Sequence, residues 1–423
     1  MLSLHTLRTQ KDFVIDRLKI KNFKDLSLVD KIIEIDEKRR KVQTQYEDLL
    51  SKINSISKEI GKKMASGQKE EAEKMKQEVL QYKEDSQSFI RELELLEKQQ
   101  HESLVLLPNL PHASVPQGKG AEDNEVVRVV ENIPTMQDDA LPHWDLCSKY
   151  QLIDFELGTK ITGAGFPVYK NKGAKLQRAL INFFLDYNIQ SGYTEYQPPI
   201  LVNTDSAYGT GQLPDKEGQM YHATVDDFYL IPTAEVPLTN FYRDEILKET
   251  DLPLKLTAYT PCFRREAGSY GKDVRGLNRL HQFDKIEIVR FSHPDTSYDA
   301  LEEMVLHVEK LIQLLELPYR ILRLCGGDMS FASALTYDFE VFSAAQKRWL
   351  EVSSVSNFET FQTNRMKIRF KNADGKTQLV HSLNGSSLAL PRIVASLLEN
   401  NQTQEGIKIP KALVPYFGAE WIN

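Results

Sequence analysis

Hydrophobic positions between residues 28 and 100 recur in alternating steps of four and three. Leu28, Ile32, Ile35, Arg39, Val42, Tyr46, Leu49, Ile53, Ile56 and Ile60 make one such series, with Arg39 its polar member. Ala72, Met75, Val79, Tyr82, Ser86, Phe89, Leu93, Leu96 and Gln100 make a second. A mean spacing of 3.5 is the seam of a coiled coil. Between the two series Gly61 and Gly67 bracket a break, MASGQKE. The pattern predicts an antiparallel coiled-coil hairpin over about residues 28–100, preceded by a small helical lead-in over 1–25. At 1.5 Å per residue each arm would reach roughly 45–50 Å. Such a hairpin is too thin to enclose a site. It can brace a domain, dimerise or touch a long partner.

The pattern changes after residue 105. LLPNLPHASVPQGKGAEDNE, residues 106–125, is rich in Pro, Gly and Asn and predicts a linker. Val126–Val130 reads as a short strand. Residues 172–202 read as a helix carrying Leu176, Leu180, Phe183, Phe184 and Tyr187, then Gly192, then a strand TEYQPPILV. Pro198 and Pro199 exclude that strand from a central ladder and suggest an edge or an interface. Residues 229–237, YLIPTAEVP, read as a strand opening into a turn. A second amphipathic helix covers 299–317. In residues 381–402 a strand runs into Pro391 and a helix follows, with Pro391 in the first turn, where its missing N–H is no loss. The expected organisation is an α+β chain: a helical arm over 1–105, a linker over 106–125, and a mixed domain over 126–423.

Length and charge narrow the class. A chain of 423 residues suggests two or three domains, and 41% hydrophobic with 27% charged residues fits a soluble globular protein. The formal net charge of −7 provides no bulk positive field, so any RNA contact must come from local basic patches, and DNA binding is not expected. Cys147, Cys262 and Cys325 are far apart and form no CxxC. Neither a zinc site nor a disulfide framework is expected, and a reducing cytoplasm fits. No segment is long and apolar enough to span a membrane.

The candidate chemistry lies in residues 257–291. Two strand-like runs, 257–266 and 281–291, flank a loop of unusual length. On the second run Ile286 and Ile288 share one face, while Phe283, Lys285, Glu287 and Val289 share the other. Arg264 and Glu266 share a face on the first. The loop carries Lys272, Arg275 and Arg279 with glycines at 268, 271 and 276. Guanidinium forks suit phosphate oxygens. Phe283 offers a stacking surface, and a carboxylate can accept from an exocyclic amine. A polyanion with a flat base attached fits this set. A solvated basic hairpin on a sheet edge fits the same pattern.

FRREAGS followed by RLHQFDKIEIV resembles motif 2 of class II aminoacyl-tRNA synthetases in its seryl-tRNA synthetase form. Arg265 departs from the Ser, Ala or Lys usual there, and its side chain is expected to point off the ligand face. The rest of the chain extends the resemblance. Residues 172–202 are similar to motif 1, the dimer-forming segment, and HSLNGSSLALPRIVASLLENNQ is similar to motif 3, with Ser387 and Pro391 standing where Gly is more usual. Residues 143–161 resemble the segment that opens the family's catalytic domain.

The resemblance implies a mainly antiparallel sheet flanked by helices, behind an N-terminal arm that grips the long variable arm of tRNA(Ser). It implies a serine–tRNA ligase that forms seryl-adenylate from L-serine and ATP, then charges tRNA(Ser), and tRNA(Sec) where present. Arg264 would contact the α-phosphate and Arg392 the γ-phosphate. Glu266 would meet the adenine amine and Phe283 would stack on the base. Arg265, Val352 and Ser353 would also line the ATP site. Glu351 and Ser354 would hold Mg²⁺, an assignment consistent with oxygen donors. Thr233, Ala234, Glu235, Glu287 and Ser386 would surround serine together with Arg264. The family also implies a cytoplasmic homodimer. Two other readings differ in class. A ligase loading an amino acid onto a carrier protein would usually lack the arm and hold zinc. A non-catalytic paralogue would have lost a motif arginine or the metal carboxylate, yet Arg264, Arg392 and Glu351 are all present.

Overall fold

The computed structural model describes residues 1–135, 140–215, 217–266 and 275–423. The chain divides into two compact units, one of residues 1–19 and 23–108 and the other of 20–22 and 109–423.

The first unit is dominated by two long helices, α1 (Ser27–Ala65) and α2 (Lys69–Leu104). Near the base of the hairpin Ile35, Val42, Leu93 and Leu96 form a buried cluster, with Tyr46 and Phe89 packed against it. Further out, Ile53, Ile56 and Ile60 are only half-buried. On the facing helix Val79 and Ala72 stay buried well out along the arm. The arms of 39 and 36 residues exceed the expected length. Gly61 does not end a helix as expected: α1 runs through it to Ala65, and the reversal comes at Gly67, whose φ of +81° suits glycine. One Gly among good helix formers costs too little to break a helix packed against its partner.

The hairpin also buries a charge. Asp36 neighbours the predicted seam and is fully buried. It accepts from Arg39 Nη2 and Gln100 Nε2, each at 3.1 Å, and from Arg8 Nη1 at 2.5 Å. Burial pushes its carboxyl up, but the bonds from Arg8, Arg39 and Gln100 outweigh this and hold it below the ordinary value.

The second unit is built on an eight-stranded sheet. Its strands are β1 (Glu125–Val130), β2 (Thr194–Glu195), β3 (Leu254–Phe263), β4 (Gln282–Ser292), β5 (Tyr319–Arg323), β6 (Leu335–Ser343), β7 (Arg348–Glu359) and β8 (His381–Ala389), in the order β1-β5-β6-β7-β8-β4-β3-β2. All neighbours are antiparallel except the edge pair β2–β3. Ile286, Ile288, Val355 and Leu383 look into a core shared with helices α3 (Asn171–Gln190), α4 (Ser297–Leu314) and α5 (Leu390–Asn400). Val289 and Phe291 belong to a second, smaller core with Ala234, Leu238 and Met366. The period-2 alternation expected for residues 283–291 is therefore present, and it leaves Phe283, Lys285 and Glu287 on the face opposite the helices. Residues at the start of the unit are bonded into it: Asn109 N–H donates to Phe331 O at 2.9 Å and His112 N–H to Ala334 O at 2.7 Å.

Three predicted elements differ. TEYQPPILV is not one strand. Thr194–Glu195 joins the large sheet and Leu201–Val202 a small separate one, because the prolines between them cannot donate to either ladder. In YLIPTAEVP the strand is Phe228–Leu230, and Glu235–Asn240 is a short buried helix rather than a turn. β3 ends at Phe263, short of Arg264 and Glu266. Arg264 N–H still reaches His281 O at 2.9 Å, but Arg265 N–H turns to Gln219 O, and Glu266 takes a φ of +48°.

Candidate active site

Register decides which side chains meet on the open face. β4 pairs with β8 so that Glu287 faces Ser386, and a bulge follows before Lys285 meets Ala389. Directly opposed residues share a face, so Ser386 joins Glu287, while Asn384 and Ser382 continue the row opposite Val289 and Phe291. Ser387 turns to the other side and donates to Asn188 Oδ1 at 2.8 Å.

A second bulge solves a problem of parity. Glu351 and Ser354 are three apart and would point to opposite faces of a regular strand. Between β6 and β7 the register slips: Ser354 faces Asp338, Ser353 faces Phe339, and Glu351 then faces Glu340. The extra residue, Val352, goes into the apolar core. Glu351 and Ser354 thereby come to one face, with Asp338. Ser354 is hydrogen-bonded to Asp338, whose carboxyl is pushed well above the carboxylate range by burial and by Glu351. Asp338 Oδ1 is buried without a partner among the described residues. An exposed carboxylate, a hydroxyl and an unengaged carboxyl oxygen form a hard-oxygen set of the kind Mg²⁺ prefers. Ser353 donates its hydroxyl to Ser386 O at 2.6 Å, so with Val352 it offers a ligand only backbone.

The polar centre is a closed network around Thr233. Its hydroxyl donates to Glu287 Oε2 at 2.8 Å and accepts from Lys285 Nζ at 2.9 Å. Lys285 Nζ also lies 2.5 Å from Glu287 Oε2. Asn384 Nδ2 donates to Glu287 Oε1 at 3.3 Å. Nearby Glu235 accepts from Gln362 Nε2 at 2.6 Å, and Gln362 Nε2 also meets Thr210 O while its Oε1 accepts from Ser382. Glu235 and Glu287 are 7% and 1% exposed. Burial and the Glu287 carboxylate push the Glu235 carboxyl up to about 7, against the bond from Gln362. Two buried carboxyls balanced by one lysine suit a small cation that also offers a hydroxyl.

At the other end of the face the Arg264 guanidinium lies 5.3 Å from the centre of the Phe283 ring. Arg265 is exposed. Glu266 pairs with Arg279 at 2.9 Å. Arg392, in the first turn of α5, donates to Asn278 O at 3.0 Å and Glu351 O at 2.8 Å. Arg275 lies over Trp144, 4.5 Å from the ring centre. Lys272, Gly268 and Gly271 lie outside the described residues. The structure thus brings Thr233, Ala234, Glu235, Glu287 and Ser386 into one neighbourhood. Lys285, Asn384, Ser382, Gln362 and Asp338 belong with these sets but were not singled out from sequence. Lys285 was accessible, being midway between Phe283 and Glu287 on one face. Gln362 was not, since no local pattern marks a residue that reaches Glu235 across 127 positions.

An antiparallel sheet carrying an arginine over an aromatic ring, with a second arginine on the helix that follows β8, is the frame of a class II aminoacyl-tRNA synthetase. Residues 220–401 match the class II core domain of the G, H, P, S and T synthetases, and residues 1–111 match the seryl-tRNA synthetase N-terminal domain. The serine–tRNA ligase of Salinibacter ruber is 52% identical over 420 residues, covering 99% of this chain and 98% of that protein. The chain belongs to the seryl-tRNA synthetase family. Among solved structures, seryl-tRNA synthetase from Pyrococcus horikoshii complexed with ATP superposes with a TM-score of 0.93 at 33% identity, covering 100% of this chain and 99% of its own. Cytoplasmic serine–tRNA ligase of Naegleria fowleri in complex with AMP gives 0.88 at 26% identity, over 100% and 99%.

Proposed function

We infer that the chain is a serine–tRNA ligase. It joins L-serine to ATP, giving seryl-adenylate and pyrophosphate, and passes the seryl group to the 3′-terminal adenosine of tRNA(Ser), and of tRNA(Sec) where that is present. The observation that carries the reading is the pairing on one sheet face of a buried two-carboxylate pocket with an arginine lying over Phe283. The first suits an amino acid's ammonium and hydroxyl, and the second suits a nucleotide's phosphate and base.

The serine carboxylate is ionised at neutral pH, so the first step needs no protein base. Its oxygen attacks the α-phosphorus and pyrophosphate leaves. Arg264 neutralises charge at that phosphorus and Arg392 holds the γ-phosphate. Phe283 stacks on adenine, with Glu266 at its amine once released from Arg279. Arg265, Val352 and Ser353 line the nucleotide. Thr233, Ala234, Glu235, Glu287 and Ser386 surround serine. Glu351 and Ser354 would hold Mg²⁺, which when bound shields the triphosphate charge. Unpaired polar groups around a missing hydroxyl would reject alanine.

The similarity of residues 172–202 to motif 1 supports a homodimer, and the N-terminal hairpin is assigned to tRNA. Three buried cysteines without a disulfide support a cytoplasmic setting. No helix among the described residues is long and apolar enough to cross a membrane. Serine-dependent ATP–pyrophosphate exchange, with and without tRNA, tests the reading. Absence of exchange with serine under both conditions would overturn it.

A further inference from the structure

Away from the residues assigned to ATP and serine, the best-defined polar cluster is His143 with Glu399. Both side chains are fully buried. His143 Nδ1 lies 2.7 Å from Glu399 Oε1, and the His143 backbone N–H donates to the same oxygen at 3.0 Å. The other ring nitrogen, Nε2, lies 2.9 Å from the backbone nitrogen of Leu277. A backbone N–H can only donate, so Nε2 accepts. Nδ1 then carries the proton and donates it to Glu399, which fixes one neutral tautomer. A carboxylate orienting an imidazole is the arrangement of a catalytic dyad. Here a main-chain amide fills the place a reacting group would take, so the pair moves no proton. It holds a segment.

That segment is the returning arm of the loop between β3 and β4. At Gly276, just before it, a Cβ would come within 2.2 Å of His143 Nε2, and φ is +68°, so glycine is needed for this close approach. Immediately after Leu277, the carbonyl of Asn278 accepts from Arg392 Nε at 3.0 Å. Arg392 and Glu399 lie seven residues apart on α5, two turns along one face. The helix therefore grips residues 277–278 twice, directly through Arg392 and from Glu399 through His143. Gln346 closes the circuit: its Nε2 donates to Glu399 Oε1 at 3.1 Å and its Oε1 accepts from Asn278 Nδ2 at 3.0 Å.

We propose that His143 and Glu399 are positioning residues for ATP, fixing the Asn278 carbonyl that aims the Arg392 guanidinium at the terminal phosphate. The inference rests on the assignment of Arg392 to that phosphate. Neither residue is among the groups assigned to the nucleotide. The dyad acts on the β- and γ-phosphate end alone, so ATP and AMP distinguish this role from general stability.

The test measures dissociation constants for ATP and AMP, and the serine KM in exchange, in H143N, H143Q and R392A. Asn at 143 can still donate to Glu399 but cannot reach the Leu277 N–H. Removal of that one bond is expected to weaken ATP about tenfold and AMP less than about twofold, with serine KM unchanged. The longer amide of H143Q again reaches Leu277 and should recover most of the ATP affinity. If H143N weakens ATP and AMP equally, or leaves both unchanged while R392A shifts their ratio, the dyad is structural only and the inference is overturned. If R392A itself leaves the ratio unchanged, the phosphate assignment of Arg392 falls and the inference with it. Should H143N not fold, E399D, which draws the carboxylate back by one methylene, serves in the same comparison.

Discussion

Glu235 is the residue whose chemistry is most exposed to test. Burial and the neighbouring Glu287 push its carboxyl up to about 7. The raised value favours the protonated form in the folded state. Its contribution to stability is full below the ordinary 4.5 and is lost as pH rises through about 7. A serine ammonium beside it favours the carboxylate instead, so binding below that pH expels a proton. Calorimetry in buffers of different ionisation enthalpy, roughly one unit either side of the titration point, should show proton release on the acid side and little on the other. E235Q should abolish the difference; unchanged release in that variant would place the proton elsewhere. Arg264 gives a second prediction. Arg264→Ala should lower exchange by about 10²–10³-fold, as removal of one group that stabilises the transition state does. Near-normal exchange in the folded variant would show that another cation serves the reacting phosphate. Phe283 and Glu287 could be read from sequence because alternation along a strand is a local rule. Gln362, Ser382 and Asn384 could not, because their partners are fixed by strand register and by chain reversals that no window contains.

At the scale of elements, strong periodicity was legible and short buried pieces were not. The hairpin repeats its pattern over many turns, so an error at Gly61 moved only its end. The helix Glu235–Asn240 has 6 residues, with Glu235 to Thr239 buried, and so carries no amphipathic signature. Bulges were equally invisible, although one of them sets the parity of Glu351 with Ser354. Asp36 is the element-scale surprise, an acid buried beside a seam and satisfied by two arginines and a glutamine. Its carboxyl is held below the ordinary 3.8, so its stabilisation is present above that value and drains away as pH falls beneath it. Asp36→Ala should destabilise the helical unit by about 2 kcal/mol at neutral pH, leaving Gln100 buried and unpaired. Thermal melts of the full-length chain followed by circular dichroism read this. An unchanged melt at neutral pH would mean that water replaces the carboxylate at no cost.

For the whole molecule, the division of labour follows from where the assigned residues fall. Every group placed around serine and ATP lies beyond residue 230, and the hairpin contributes none. Deletion of residues 32–96, with a short Gly linker in their place, should leave pyrophosphate exchange nearly intact. Charging of tRNA should fall through weaker tRNA binding. For each tRNA phosphate no longer neutralised, the log–log salt dependence of binding should flatten by about 0.7–0.9. Exchange, charging and tRNA affinity at several salt concentrations make the comparison. Undiminished charging by the shortened chain would make the hairpin a brace or a handle for some other partner.

The bond between Asp36 on one helix and Gln100 on the other also makes the hairpin a ruler with a fixed zero. An apolar seam alone can slide by a heptad and find equivalent packing. Sliding here would break that bond and leave the buried Gln100 amide without its partner, so the two helices are held in phase at their base. The distance from that base to the tip is then set by residue count alone. Inserting one heptad into each helix beyond this point would extend the tip by about 10 Å without disturbing the base, whereas a heptad in one helix only would have to loop out. Length in this arm is therefore a heritable dimension, adjustable only in matched pairs.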